Sequence, residues 1–266
     1  MTIFHAFVLG VIQGLTEFIP VSSTAHLLVV EHFMDLDPNN DALFSFSVLI
    51  QLGTLVSVLI FFWPDLLRLL KAFFAKPFST SENKLAWYII LATVPALIFG
   101  FILKDVVELL FRDPRGGAVI RLFTTAVLLI LSEWLTKKKR VLDSMTGLDA
   151  LFIGIMQVIA VFPGASRSGT TISGGMFRGF DRPSAARFAF LMSIPVMLAA
   201  GGYEMLDVIQ MPDLSEFLPV LAVGFVTAAI VGWFAIQWLI DYLSKRSLYV
   251  FATYCALAGT IVFFLK

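Results

Sequence analysis

The run PGASRSGTT, Pro163 to Thr171, places one arginine, two serines, two threonines and two glycines in nine residues. The chemistry that composition suits is anion binding. Glycines free backbone N–H groups, hydroxyls donate, and one guanidinium fork matches a phosphate. Arg167 is the strongest single candidate, with Ser166, Ser168 and Thr171 as hydroxyl donors beside it. Gly164 and Gly169 would let backbone approach a ligand. An ion pair that holds the fold, with Glu17 as a partner, is the structural alternative for Arg167. For Gly174 and Gly175, close helix packing is the preferred reading.

A second polar run, QGLTEFIPVSSTAH, extends from Gln13 to His26. Gln13 and Glu17 are four residues apart and share a face if the segment is helical. A carboxylate inside an apolar stretch is costly and usually functional, although reaching water from a helix end would also accommodate Glu17. Two oxygen-bearing side chains on one face suit a divalent cation, Mg²⁺ or Ca²⁺. Gln13 is equally open as a metal ligand, a substrate hydrogen-bonder or a structural amide. Ser22, Ser23 and Thr24 follow Pro20, where hydroxyls cap helices, and capping does not exclude a role in chemistry. Ser23 and His26 have the spacing of a nucleophile and its base. His5 and His32 lack such company and are expected to be structural.

The elements that position these residues are apolar. The chain has 266 residues, 59% hydrophobic and only 14% charged, whereas soluble domains carry roughly 25% charged residues. An all-α polytopic membrane protein follows. Net charge is zero, so nothing points to nucleic acid. The single cysteine, Cys255, excludes a disulfide framework and a cysteine zinc site, and is expected as a small apolar residue in a lipid-facing helix. The start, MTIFHAFVLG, has no basic region or small-residue cleavage site, so no removable signal is expected.

A crossing helix needs roughly 20 apolar residues. Six stretches fit: Ala42–Trp63, Leu85–Leu103, Ala118–Leu135, Arg187–Leu206, Phe217–Ile240 and Leu248–Leu265. Two others are interrupted. Ile3–Ile19 meets Pro20 and resumes at Leu27–Met34; Leu148–Phe162 meets Pro163 and resumes at Ile172–Phe177. Each reads as a re-entrant helical hairpin, whose irregular backbone must be buried in protein or line a wet cavity. Lys137 to Arg140 is the strongest basic run and is placed inside, together with Arg68, Lys71, Lys76, Lys84, Lys245 and Arg246. Both termini, the Asp35–Asp41 loop, the Asp207–Asp213 loop and the mixed Lys104–Arg115 loop then fall outside. Arg121 is expected near the outer end of its helix, snorkelling to water. Glu133 and Glu204 are expected at interfacial helix ends, and Lys71, Phe73 and Phe74 on the inner leaflet.

The chain also repeats. LGVIQGLTEF (Leu9–Phe18) aligns without a gap on IGIMQVIAVF (Ile153–Phe162), pairing Gly10 with Gly154 and Gln13 with Gln157. One residue of slip then pairs Pro20 with Pro163 and Ser23 with Ser166. Three spanning helices follow each motif, the first set starting outside and the second inside. The expected architecture is one domain, residues 1–266, of two inverted repeats (about 1–143 and 144–266), six spanning helices and two re-entrant hairpins. Inverted repeats place a site near the midplane, between broken helices.

The two runs resemble the signature regions of the undecaprenyl-diphosphate phosphatase family, also called the bacitracin-resistance family. The first region there reads [E/Q]-x-x-x-E followed by P-V-S-S-T-x-H, and the second P-G-x-S-R-S-x-x-T. The likeness covers essentially the whole chain. It implies hydrolysis of undecaprenyl diphosphate to the monophosphate, recycling the carrier lipid for bacterial cell-wall synthesis. It also implies a divalent cation and an active site opening to the outer, periplasmic side of the bacterial inner membrane. By position, Gln13 and Glu17 match the acidic or amide pair, Ser23 and His26 the nucleophile and base, and Arg167 the phosphate clamp. Ser166, Ser168 and Thr171 match the hydroxyls of the second region, and Ser22 joins the substrate-binding set. Gln13 leaves one carboxylate rather than two, which weakens metal binding by protein alone. Ala25 stands where glycine is usual. Expected partners are the lipid substrate and membrane lipids, and a homodimer is left open. A transporter or flippase of phosphorylated lipids is the rival reading, since inverted repeats are also its signature.

Overall fold

The computed structural model describes residues 1–103, 114–137, 139–161 and 165–265. Among these the regular elements are helices. In chain order they are α1 (Ile3–Thr16), α2 (Ser23–Phe33), α3 (Asp41–Phe61), α4 (Trp63–Phe73), α5 (Ser81–Ile102) and α6 (Pro114–Leu135). A short 3₁₀ turn, Leu142–Ser144, precedes α7 (Gly147–Val161), α8 (Arg167–Phe177), α9 (Arg182–Val208), α10 (Leu214–Lys245) and α11 (Tyr249–Phe264). Polar caps set several starts. Asn40, Thr80, Ser166 and Asp181 each accept a backbone N–H through the side chain. His5 closes a capping box with Thr2, the structural role expected of it.

Among the described residues, five helices are long and apolar enough to cross a membrane: α3, α5, α6 from Gly116, α9 and α10. The sixth expected span, Leu248–Leu265, is an apolar helix of 16 residues. At 1.5 Å per residue it reaches only about 24 Å, short of a ~30 Å hydrocarbon core. The two interrupted stretches are pairs of short helices, α1 with α2 and α7 with α8, broken at Glu17–Ser22 and before Ala165. Pro163 and Gly164 lie outside the described residues, as do Lys138 and residues 104–113 of the mixed loop.

Helix packing follows an exchange between the halves. α1 packs on α10 as α7 packs on α5, α3 packs on α10 as α9 packs on α5, and α3–α9 and α6–α11 pair across the centre. The aligned glycines do matching work at these crossings. A Cβ on Gly10 would come within 2.6 Å of the Gly224 carbonyl oxygen on α10, and one on Gly154 would collide with the Ala92 carbonyl on α5. Gly175 likewise leaves 2.8 Å between a Cβ and Ala185 Cβ, the packing role expected of it.

Loops expected on one side do meet. Met1, Asp37, Asn40, Asp213 and Glu216 line one cleft, while Asp65, Arg68, Lys84, Asp143 and Arg187 line another. α4 keeps its apolar Trp63 and Leu70 exposed and is followed by the exposed Phe74.

Four polar or reactive side chains are enclosed by protein. Glu133 is buried: it accepts from Arg182 Nε and Nη2 at 2.6 and 2.8 Å and from the Leu248 N–H at 2.8 Å. Glu204 is buried and accepts from Ser45 Oγ at 2.5 Å. Arg121 is 4% exposed rather than snorkelling. Cys255 is fully buried and faces the Pro20 carbonyl at 3.8 Å, as a small residue on the inner side of a helix whose Leu257 and Ile261 are exposed.

Candidate active site

The break between α1 and α2 turns the chain so that Glu17, just past the α1 C-terminus, lies beside Ser23 in the first turn of α2. Ser23 Oγ donates to Glu17 Oε2 at 2.7 Å, and Gln13 Nε2, one turn back on α1, donates to the same oxygen at 2.9 Å. The four-residue spacing does place Gln13 and Glu17 on one face. The carboxylate fixes the Gln13 amide orientation, because turning the amide oxygen toward it would set two acceptors together.

Arg167 comes from the other half. It opens α8 and reaches across so that Nη2 lies 3.4 Å from Glu17 Oε1. Nη2 also donates to Gln51 Oε1 at 2.8 Å, from the middle of α3. The ion pair weighed as an alternative is therefore present, at long range and partly exposed on the arginine side. It uses one end of the fork only. Arg167 Nη1 is buried with no partner, and so is Gln13 Oε1. Two orphaned groups of opposite polarity in one cleft are unusual, because a buried polar atom without a partner costs about 1–3 kcal/mol. The first asks for an anion's oxygen, the second for a cation or a donor.

The remaining hydroxyls build the walls. Ser166 caps α8 by accepting from the Gly169 N–H at 3.1 Å, and its own N–H donates to Thr125 Oγ1 on α6 at 2.9 Å. Ser166 and Ser168 share a hydrogen bond of 3.0 Å between their hydroxyls, and Ser168 Oγ lies 3.4 Å from the Ile19 carbonyl. α8 is thereby tied to the first break. Ser22 caps α2 with a bond of 3.4 Å from the Ala25 N–H. Its φ of 71° is in the left-handed region that a non-glycine residue enters at a cost of about 1–3 kcal/mol. Thr171 is used inside its own helix, donating to the Arg167 carbonyl at 2.7 Å. Two helix N-termini, those of α2 and α8, thus converge on one carboxylate, and both present partial positive charge to an anion.

His26 is held apart from Ser23. Its Nδ1 lies 2.8 Å from the Ser22 carbonyl and its Nε2 lies 2.7 Å from Tyr254 Oη on α11. The proton acceptor in contact with Ser23 is Glu17. Gln51, Thr125 and Tyr254 are the site residues that sequence reasoning missed. Each is a single polar group on an apolar helix, with no local pattern to mark which neighbour it meets.

A divalent cation fits part of this set. Glu17 and the unpartnered Gln13 Oε1 are hard oxygen donors, and Mg²⁺ is commonly held by one or two carboxylates with waters and substrate phosphates completing its shell. Among the described residues no group of three His, Cys, Asp or Glu side chains could hold a metal by protein alone.

Comparison with known proteins gives one direction. The model of the family described as bacitracin resistance protein BacA matches residues 6–261. Curated relatives include the undecaprenyl-diphosphatase of Anaeromyxobacter dehalogenans, 39% identical over 98% of this chain and 91% of that protein. The undecaprenyl-diphosphatase of Chloroherpeton thalassium is 39% identical over 98% and 96%. That of Methanobrevibacter smithii is 36% identical over 99% and 97%.

Proposed function

We propose a mechanism from one premise: the chain belongs to the bacitracin resistance protein BacA family. Its activity is hydrolysis of undecaprenyl diphosphate to undecaprenyl phosphate and inorganic phosphate, the reaction its relatives are named for. The family context is recycling of the cell-wall carrier lipid and resistance to bacitracin. The observation that carries the site reading is the Glu17 carboxylate. It takes the Ser23 proton-donating bond on one oxygen and faces Arg167 on the other, beside the two unbonded buried atoms.

The diphosphate is clamped by Arg167, whose free Nη1 takes an oxygen of the terminal phosphate, and by the N-termini of α2 and α8. Ser166 and Ser168 complete that wall. Ser23 Oγ attacks the terminal phosphorus while its proton passes to Glu17. The bond to the bridging oxygen breaks and undecaprenyl phosphate leaves. Water then attacks the phosphoserine, Glu17 returns its proton to Ser23 Oγ, and His26 accepts the proton of the water. A divalent cation held by Glu17 and Gln13 Oε1 would neutralise charge on the phosphate oxygens. Phosphoryl transfer depends mainly on such positioning and charge stabilisation.

The membrane arrangement that goes with this is two inverted repeats, with α1–α2 and α7–α8 as re-entrant hairpins meeting near the midplane. The exchanged helix pairings and the matching glycines support it. The basic loop at Lys137–Arg140 faces the cytoplasm and the site opens to the periplasmic side of the inner membrane. A flippase for phosphorylated lipids would use the same scaffold, but transport does not require a serine bonded to a carboxylate. Phosphate release from a prenyl diphosphate by purified protein with Mg²⁺ or Ca²⁺ separates the two, and no release favours the flippase. Trapping of a phosphoenzyme separates serine from histidine attack: a label on His26 that persists in Ser23→Ala would sink the serine route.

A further inference from the structure

We propose that Tyr254 is the positioning residue for His26, holding the imidazole ring and the direction of its Nε2 lone pair. The inference rests on the reading of His26 as the proton acceptor for water, and it deepens that reading.

The argument begins with the Ser22 carbonyl. A carbonyl oxygen only accepts, and it lies 2.8 Å from His26 Nδ1. Nδ1 must therefore carry the hydrogen, and a neutral imidazole then has its lone pair on Nε2. Tyr254 Oη, 2.7 Å from Nε2, donates to that lone pair. The two rings are parallel to within 7°, with centroids 5.6 Å apart, so ring orientation is held as well as the hydrogen bond. The backbone behind this arrangement is not relaxed. Ser22 sits at φ 71°, a conformation that survives only when its surroundings hold it.

A second contact fixes the register of α11 against the break. Cys255, the next residue, is fully buried against the Pro20 carbonyl at 3.8 Å. Consecutive residues of α11 thus touch both ends of the turn that carries Ser22, one at Pro20 and one at His26. Tyr254 itself is 46% exposed. Nδ1 already donates to the Ser22 carbonyl, so His26 takes a proton at Nε2. The Tyr254 hydroxyl, which donates to that lone pair, hands its hydrogen to Nε2 as it accepts the water's.

The test uses full-length protein and three variants, Tyr254→Phe, His26→Ala and the double variant. Phenylalanine keeps the ring and removes the hydroxyl. With only three histidines in the chain, ¹⁵N-histidine spectra resolve the His26 tautomer without any turnover. The expected wild-type signature is a protonated Nδ1 and an unprotonated Nε2; in Tyr254→Phe Nδ1 stays protonated and the Nε2 signal shifts as its donor is lost. With a prenyl diphosphate substrate, kcat of Tyr254→Phe falls about tenfold, the size of one lost neutral hydrogen bond, with KM unchanged. His26→Ala loses about 10²-fold, and adding Tyr254→Phe to it costs nothing more. An unshifted Nε2 signal with undiminished kcat in Tyr254→Phe, or independent losses that multiply in the double variant, overturns the role of Tyr254. Full activity in His26→Ala instead overturns the reading of His26 itself, and the spectra then still decide whether Tyr254 holds the ring.

Discussion

Gln13 and Gln157 occupy matching places in the two broken helix pairs, yet their surroundings differ. Gln13 donates to Glu17 at 2.9 Å and keeps its amide oxygen free beside the site. Gln157 is 1% exposed and has a partner for neither amide atom. The residue four further on explains it: glutamate in the first pair, Val161 in the second. Ser23 and Ser166 part in the same way. The first bonds the carboxylate, while the second caps its helix and bonds Thr125 and Ser168. The frame is shared, down to Gly10 and Gly154 at equivalent crossings. In the proposed mechanism the chemistry is divided: the first pair holds the nucleophile and the proton acceptors, and the second contributes the arginine.

That division is open to attack by mutation. The largest effect belongs to Glu17→Gln, which removes the proton acceptor. Phosphate release should fall about 10³-fold, within the range of a lost general base. Retained activity would move the chemistry out of the first pair. Next comes the contrast of the aligned serines. Ser23→Ala should abolish phosphoenzyme trapping, whereas Ser166→Ala should still form the phosphoenzyme, with a raised KM, and cost about 1 kcal/mol of thermal stability as a lost cap. Smaller still, Gly10→Ala and Gly154→Ala should each destabilise by about 1–3 kcal/mol in thermal unfolding, because a Cβ meets a facing carbonyl. Similar losses would sharpen the claim of one frame used twice. The smallest effect is expected from Gln157→Leu: full activity and stability unchanged or raised by up to about 1 kcal/mol, since an orphaned buried amide is removed. A loss of activity there would break the asymmetry.

Much of this was legible because polar residues in an apolar chain are conspicuous. Both breaks, the Gln13–Glu17 face, the Arg167–Glu17 pairing and the packing glycine at 175 could be read from type and spacing. What was not legible depended on tertiary neighbours. Gln51, Thr125 and Tyr254 each sit alone on an apolar helix, where period and composition do not reveal the facing partner. Glu133 and Glu204 were expected at the interface because they lie near helix ends. That they are also enclosed by protein, paired with Arg182 and Ser45, was not readable, because the pairing that offsets the cost of burial comes from other helices. Ser23 and His26 share a helix face as spaced, but each has a nearer partner, Glu17 for one and Ser22 and Tyr254 for the other. The short α11 was read as a full span because its apolar run hides a helix of 16 residues.

The claim on which the rest depends is that Arg167, delivered from the second half, clamps the substrate over the first. Phosphate release by wild type and by Arg167→Ala, with thermal unfolding of both, tests it directly. The expected result is no detectable release in the variant with a cooperative unfolding transition retained. Full release by a folded Arg167→Ala protein would contradict it.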